Sequence, residues 1–152
     1  MTAQSPGQSP GILLWRSANA WQRGLREALA PHGLTQAQFS LLDALSIDDP
    51  DAGTNQRQLA TLCGMDVTVV SAVIRQLQRE GLVARRTGED TRSRQVSLTT
   101  AGRRRVAAAA PMAQAVDAEF FAALRQDQAA FAGALRLLLG LRPRVRAASN
   151  KP

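Results

Sequence analysis

The sequence predicts a mainly α-helical domain that carries one small β-hairpin. Three observations lead there. Apolar residues recur at steps of three and four along most of the chain. Ser, Thr, Asn and Asp stand just ahead of those stretches, where a helix start needs a side-chain acceptor. Only two short runs, LVARRT (82–87) and QVSLT (95–99), alternate with the period of a strand. The 152 residues suffice for one domain with its own core, and a hydrophobic content of 45% is that of a globular chain.

Each element has its own signal. Residues 1–10 are rich in Ser, Pro, Gly and Gln and read as a loose tail. From Gly11 to about residue 30, Leu14, Ala18, Trp21, Leu25 and Leu29 form one helical stripe, which PHG (31–33) ends. Thr35 followed by Gln38 is a capping box, and Phe39, Leu41, Leu42 and Leu45 are the buried side of the helix it opens. SIDDPDAGT (46–54) reads as a loop. Asn55 and Gln58 form a second capping box, ahead of a helix with Leu59, Leu62 and Cys63 on one face. Gly64 then permits a sharp turn. Asp66 caps the next helix, where Val70, Val73, Ile74 and Leu77 share a face until Gly81. Two short amphipathic helices joined by a glycine-containing turn make a helix-turn-helix.

The two alternating runs follow as a hairpin with its polar tip at 88–94. Beyond Thr99 lies a long alanine-rich helix. Pro111 falls inside it, where a proline costs ~3 kcal/mol, so a kink or break is expected there. Residues 126–141 form a last helix with Phe131, Leu135 and Leu138 on one stripe, and residues 142–152 are a basic tail.

Charge narrows the partner. The net charge is +7, and arginine supplies 18 of the 19 basic residues. Residues 82–105 hold seven arginines (85, 86, 92, 94, 103, 104 and 105) against Glu89 and Asp90. A basic membrane helix would spread arginine along one helical face; here it gathers on a hairpin and the helix start after it, which suits nucleic acid. Enzymatic signatures are lacking: there is no P-loop, no strand-linked GxGxxG, no HExxH, and His32 is the one histidine. His32 has no second ligand at metal spacing, so neither metal nor cofactor is expected. The single Cys63 excludes an intrachain disulfide and fits a reducing, cytoplasmic setting. As part of an apolar stripe, Cys63 reads as a small buried hydrophobe rather than an oxidation sensor. No apolar run approaches the ~20 residues of a membrane span, and MTAQSPGQSP lacks the pattern of a secretion signal.

Four stretches in this order carry a family likeness: HGLTQAQFSLLDAL, QLATLCGMDVTVVSAVIRQLQREGLVAR, DTRSRQVSLTTAG and the proline-interrupted helix after it. With them, residues 12–141 or so resemble the MarR family of winged helix-turn-helix transcriptional regulators. The resemblance implies one domain over 11–141, with a DNA-binding lobe at 35–99 and dimerisation helices at 11–30 and 103–141. It also implies a ligand-responsive repressor, a homodimer that reads double-stranded DNA at a pseudo-palindromic operator. Base contacts in the family fall at positions matching Val67, Thr68, Ser71 and Ala72. The helical period turns these and Arg75 away from the core, and Val67 and Ala72 offer only methyl groups, suited to thymine methyls. At the wing, Arg92 matches the family's minor-groove residue, with Arg94 and Arg86 as further DNA contacts. Asp90 is expected to orient the tip arginine. The family binds small aromatic acids and phenols, and Trp15, Trp21, His32 and Phe39 are the residues that could line such a site.

Overall fold

The computed structural model describes residues 9–47, 53–87 and 94–141. Its elements are α1 (Pro10–Leu29), a 3-10 turn (Ala30–His32), α2 (Gln36–Ile47), β1 (Thr54–Asn55), α3 (Gln56–Cys63), α4 (Val67–Arg79), β2 (Val83–Thr87), β3 (Arg94–Leu98), α5 (Thr100–Phe121), a second 3-10 turn (Ala122–Asp127) and α6 (Gln128–Leu138). The backbone divides into two compact units after Asp117. This is the mainly α architecture with a small antiparallel sheet that the sequence predicts.

The helix starts are where the acceptors are. Ser9 caps α1 by accepting the Ile12 N–H at 3.3 Å, and Pro10 fills the first turn. Thr35 and Gln38 cap each other's main chain at 2.9 and 3.2 Å, and Asn55 and Gln58 repeat the arrangement at α3. Gly33 lies at φ 64°, a backbone state that glycine adopts without steric cost, and closes the first 3-10 turn.

In the first unit, α1 to α5 and the sheet enclose one core. Leu29, Leu41, Leu42, Leu59 and Leu77 are completely buried within it. Each such side chain contributes ~1.5–3 kcal/mol of burial. The sheet order is β1-β3-β2, all antiparallel, with Val83 opposite Leu98 and Arg85 opposite Val96. In the second unit, Phe121 stacks against Phe120 and Phe131 at 5.1 and 5.9 Å, and the Gln128 amide donates to the Phe121 carbonyl at 3.0 Å.

Four expectations need correction. The segment 46–54 is not all loop: Ser46 and Ile47 complete α2, and Thr54 pairs with Val96 as a third strand. Two residues are too few to show alternation; the strand exists because β3 offers a free edge. The helix continues through Pro111, and the interruption comes at 122–127, where Arg125 stands at φ 47°. Val106, Ala109 and Ala113 are buried on either side of the proline, so packing offsets the lost hydrogen bond. Leu62 is 60% exposed, because the inner face of α3 is centred between Leu59 and Ala60 and Leu62 falls on its flank. Cys63 is only partly buried, its thiol donating to the Ser40 carbonyl at 3.5 Å.

Candidate nucleic-acid interface

A short turn at Gly64 (φ 62°) joins α3 to α4, and the two helices make an angle of 109°. That is the angle of a helix-turn-helix. Asp66 starts α4 by accepting the Thr68 N–H at 2.7 Å. The Gln56 amide reaches from the first turn of α3 to the Val67 carbonyl at 3.2 Å, tying together the starts of both helices.

The two faces of α4 differ completely. Val70, Ile74 and Leu77 are buried, whereas Val67, Thr68, Ala72 and Arg75 are exposed and Ser71 is partly so. These five outer positions are the ones the sequence assigns to DNA. The structure adds Val69, an exposed apolar residue beside Val67. Its signal was the run VTVV, in which one valine too many stands for a one-sided stripe.

At the other end of α4, Glu80 sits at the C-cap, an unfavourable place for an acid beside the helix dipole. Its carboxylate accepts from the Gln76 amide at 3.2 Å and from Gln38 at 3.4 Å. Gln38 is 2% exposed and sits in the first turn of α2, with its amide oxygen on the Thr35 N–H. One buried amide therefore links the start of α2 to the end of α4.

The arginines of 82–105 are not one cluster. Arg86 is exposed, whereas Arg85 shares the core face of β2 with Val83, and its Nε is buried without a hydrogen-bond partner. Arg105 donates to the His32 carbonyl at 3.2 Å, and Arg103 is partly buried and engaged. Arg94 pairs with Thr87 in the ladder. Asp90 and Arg92, at the tip, lie outside the described residues.

The stretch LTTAG after the hairpin is structural. The Thr99 hydroxyl donates to the Gly81 carbonyl at 2.7 Å and accepts the Gly102 N–H at 3.0 Å, while the Thr99 N–H donates to Leu82 at 3.1 Å. A Cβ at Gly102 would run into the Leu82 carbonyl, so only glycine lets α5 approach the start of the hairpin this closely.

The four aromatic and histidine candidates for an effector site differ in exposure and in what they touch among the described residues. Trp15 is 68% exposed. The Trp21 indole donates to Asp117 at 2.7 Å, bridging α1 and α5. His32 lies in the 3-10 turn under Arg105. Phe39 lines a cavity, of about 330 Å³, between α2 and α3. A second cavity of about 220 Å³ is lined by Asp43, Ser46, Leu98, Arg103, Val106, Ala107 and Ala110. Among the described residues no group of His, Cys, Asp or Glu could hold a metal ion, and no single helix is long and apolar enough to cross a membrane.

A model of the MarR family matches residues 32–93, from the turn before α2 to the hairpin. The chain is also 36% identical over 135 residues to the HTH-type transcriptional regulator YdcH of Bacillus subtilis, covering 88% of this chain and 92% of that one. The chain belongs to the MarR family. Among solved MarR-like structures it resembles CouR of Rhodococcus jostii RHA1, bound to p-coumaroyl-CoA, at 25% identity and a TM-score of 0.80 over 90% of this chain and 96% of that one. It also resembles the M. tuberculosis regulator MosR in complex with DNA, at 28% identity and a TM-score of 0.66 over 86% of this chain and 98% of that one. This MarR protein is accordingly a winged-helix transcriptional regulator and not an enzyme.

Proposed function

We propose that the protein is a homodimeric, cytoplasmic repressor that reads a pseudo-palindromic site in double-stranded DNA and is released by a small ligand. The carrying observation is the outer face of α4, where Val67, Thr68, Ser71, Ala72 and Arg75 stand clear of a fully packed inner face. A helix presented this way fits the major groove, with the threonine and serine hydroxyls and the valine and alanine methyls addressing base edges. Arg86, Arg92 and Arg94 act on the DNA backbone and minor groove, and Asp90 orients the tip. The lobe is residues 35–99. Residues 11–30 and 103–141 form the dimer, a reading supported by Ile12, Leu13, Leu14 and Trp15 on α1 and by Leu137, Leu138 and Leu139 at the end of α6, all exposed in the single chain. The ligand-bound neighbour CouR supports a small aromatic or phenolic effector, with Trp15, Trp21 and His32 as candidate contacts outside the Phe39 cavity.

Selection from random duplexes, followed by fluorescence anisotropy at three salt concentrations, tests this. Arg75→Ala, Arg86→Ala and Arg92→Ala should each weaken binding and lower the log–log salt slope by about one unit per contact, or two per dimer. Thr68→Ala and Ser71→Ala should leave the slope alone and relax preference at the contacted base by roughly 1–3 kcal/mol. Asp90→Ala should weaken binding although it removes a negative charge; tighter binding would refute the oriented tip. A protein that enriches no duplex overturns the whole reading.

A further inference from the structure

The cavity between α2 and α3 takes no part in the DNA-reading surface, and its lining has a definite chemistry. Phe39, Ala44 and Ile47 of α2 and Leu62 of α3 make its walls apolar. Ile47 and Leu62 are 79% and 60% exposed, a high apolar exposure for residues flanking one opening. Its volume of about 330 Å³ lies at the small end of ligand sites. That is space for about ten heavy atoms, giving each the ~30 Å³ share of a water molecule.

Among the described residues, one charge is set into these walls. Asp43 is partly buried, and no described side chain pairs with its carboxylate; the Ser46 hydroxyl donates to its main-chain carbonyl instead, at 2.7 Å. Burial raises the Asp43 pKa, and burial and then the Asp43 charge raise that of Cys63. The Cys63 thiol therefore stays neutral and donates to the Ser40 carbonyl, which leaves the carboxylate as the one strong acceptor without a partner among the described lining residues.

We propose that this cavity binds a small hydrophobic cation, an ammonium group on an aromatic or branched aliphatic body. The ammonium meets the Asp43 carboxylate and the body lies between Phe39, Ile47 and Leu62. An anion of the same size would face Asp43 at short range in a poorly solvated place. A neutral polar molecule would leave the carboxylate as it is and wet the apolar walls. Resting on the DNA-binding reading, the consequence is regulatory: a body wedged between α2 and α3 moves α3, and the Gln56–Val67 hydrogen bond carries that shift to the first turn of α4.

The test uses the full chain labelled with nitrogen-15 and three probes of nearly equal size: 2-phenylethylamine, 2-phenylethanol and 3-phenylpropionate. The amine should shift amide signals most at residues 39–47 and 62–63, with smaller shifts around Gln56 and Val67 if α3 moves, and more strongly than the alcohol or the acid. Asp43→Asn should weaken the amine at least about tenfold, a difference of ~1.4 kcal/mol. Leu62→Trp, which fills the opening from an exposed position, should abolish binding without lowering the melting temperature. Absence of localised shifts at about 10 mM amine, a dissociation constant still weaker than ~4 kcal/mol of binding supports, overturns the site. So does equal binding of all three probes, or indifference to Asp43→Asn. In a separate arm, 2-phenylethylamine should weaken binding to the selected duplex at least about threefold in the wild type and not in Asp43→Asn. Amine shifts with unaltered duplex affinity overturn the regulatory coupling alone. Amine shifts in a protein that binds no duplex overturn the DNA reading and uphold the site.

Discussion

The two helices α4 and α6 have similar lengths and the same apolar period, yet they meet opposite fates. α4 buries Val70, Ile74 and Leu77 against its own chain; α6 buries none of its residues, and Leu138 is 75% exposed. An isolated helix of about three turns is marginal in water whatever its propensity. What stabilises α4 is the complementary surface supplied by α2, α3 and the sheet, whereas α6 has a stripe without a surface. The difference separates a helix whose apolar face is covered within the described residues from one whose apolar stripe is left exposed.

The largest effect should therefore come from denying α6 its cover. Light scattering at micromolar concentration should return twice the chain mass of 16.3 kDa. Leu138→Glu should reduce it to a single chain, and deletion of residues 126–152 should give aggregation or unfolding. A wild-type monomer would break the comparison, since α6 would then be stable uncovered.

Two glycines sharpen it. Gly102 is wedged against the Leu82 carbonyl, whereas a Cβ at Gly133 of α6 meets nothing within 4 Å. Gly102→Ala should destabilise by ~3 kcal/mol or more, at the upper end for overpacking, because a main-chain atom has to give way. Gly133→Ala should stabilise by ~0.5–1 kcal/mol from helix propensity alone. Urea unfolding reads both; a loss at Gly133 would mean that a second chain packs on that face.

How much of this was legible depends on whether the cause was local. Both capping boxes, the Asp66 cap and the glycine stops are settled within four residues, and the sequence showed each of them. The buried face of α4 is legible for the same reason, since its period is regular. Where another element decides, the reading went astray. Thr54 is a strand only because β3 has an edge to offer, Leu62 is exposed because of where α2 lies, and Pro111 is tolerated because Val106 and Ala113 anchor the helix around it. The arginine-rich stretch looked like one patch, yet Arg85 turns to the core face and Arg105 to His32.

A smaller effect is expected at the link between α2 and α4. Gln38→Leu strips a partner from the Thr35 N–H and from Glu80, a cost of ~1–3 kcal/mol. Glu80→Gln keeps an acceptor for Gln38 and removes an acid from a helix C-terminus, so it should be neutral or stabilising by ~0.3–1 kcal/mol. A structural role alone would end there. If the link also sets the tilt of α4, Gln38→Leu should relax preference among duplex variants with an unchanged salt slope, and Glu80→Gln should not.

The smallest effect concerns Asp43, a partly buried carboxylate with which no described side chain pairs. Burial raises its pKa above the ordinary value of 3.8, so the folded state binds a proton more tightly than the unfolded chain does. The sign follows from linkage. Stability from this group is fully present below 3.8, where both states are protonated, and is lost as pH rises through the higher folded value. Asp43→Asn should therefore raise the melting temperature near neutral pH, and the gain should shrink towards zero as the pH falls below 3.8. Partial exposure keeps the effect small. Because the Asp43 charge also helps to raise the Cys63 pKa, the same variant should speed alkylation of that thiol by iodoacetamide at pH 8, a condition where the thiolate fraction sets the rate. Measuring both in one protein separates the causes. A higher melting temperature without faster alkylation leaves burial alone acting on Cys63, and a lower melting temperature at neutral pH means that the carboxylate has a partner after all.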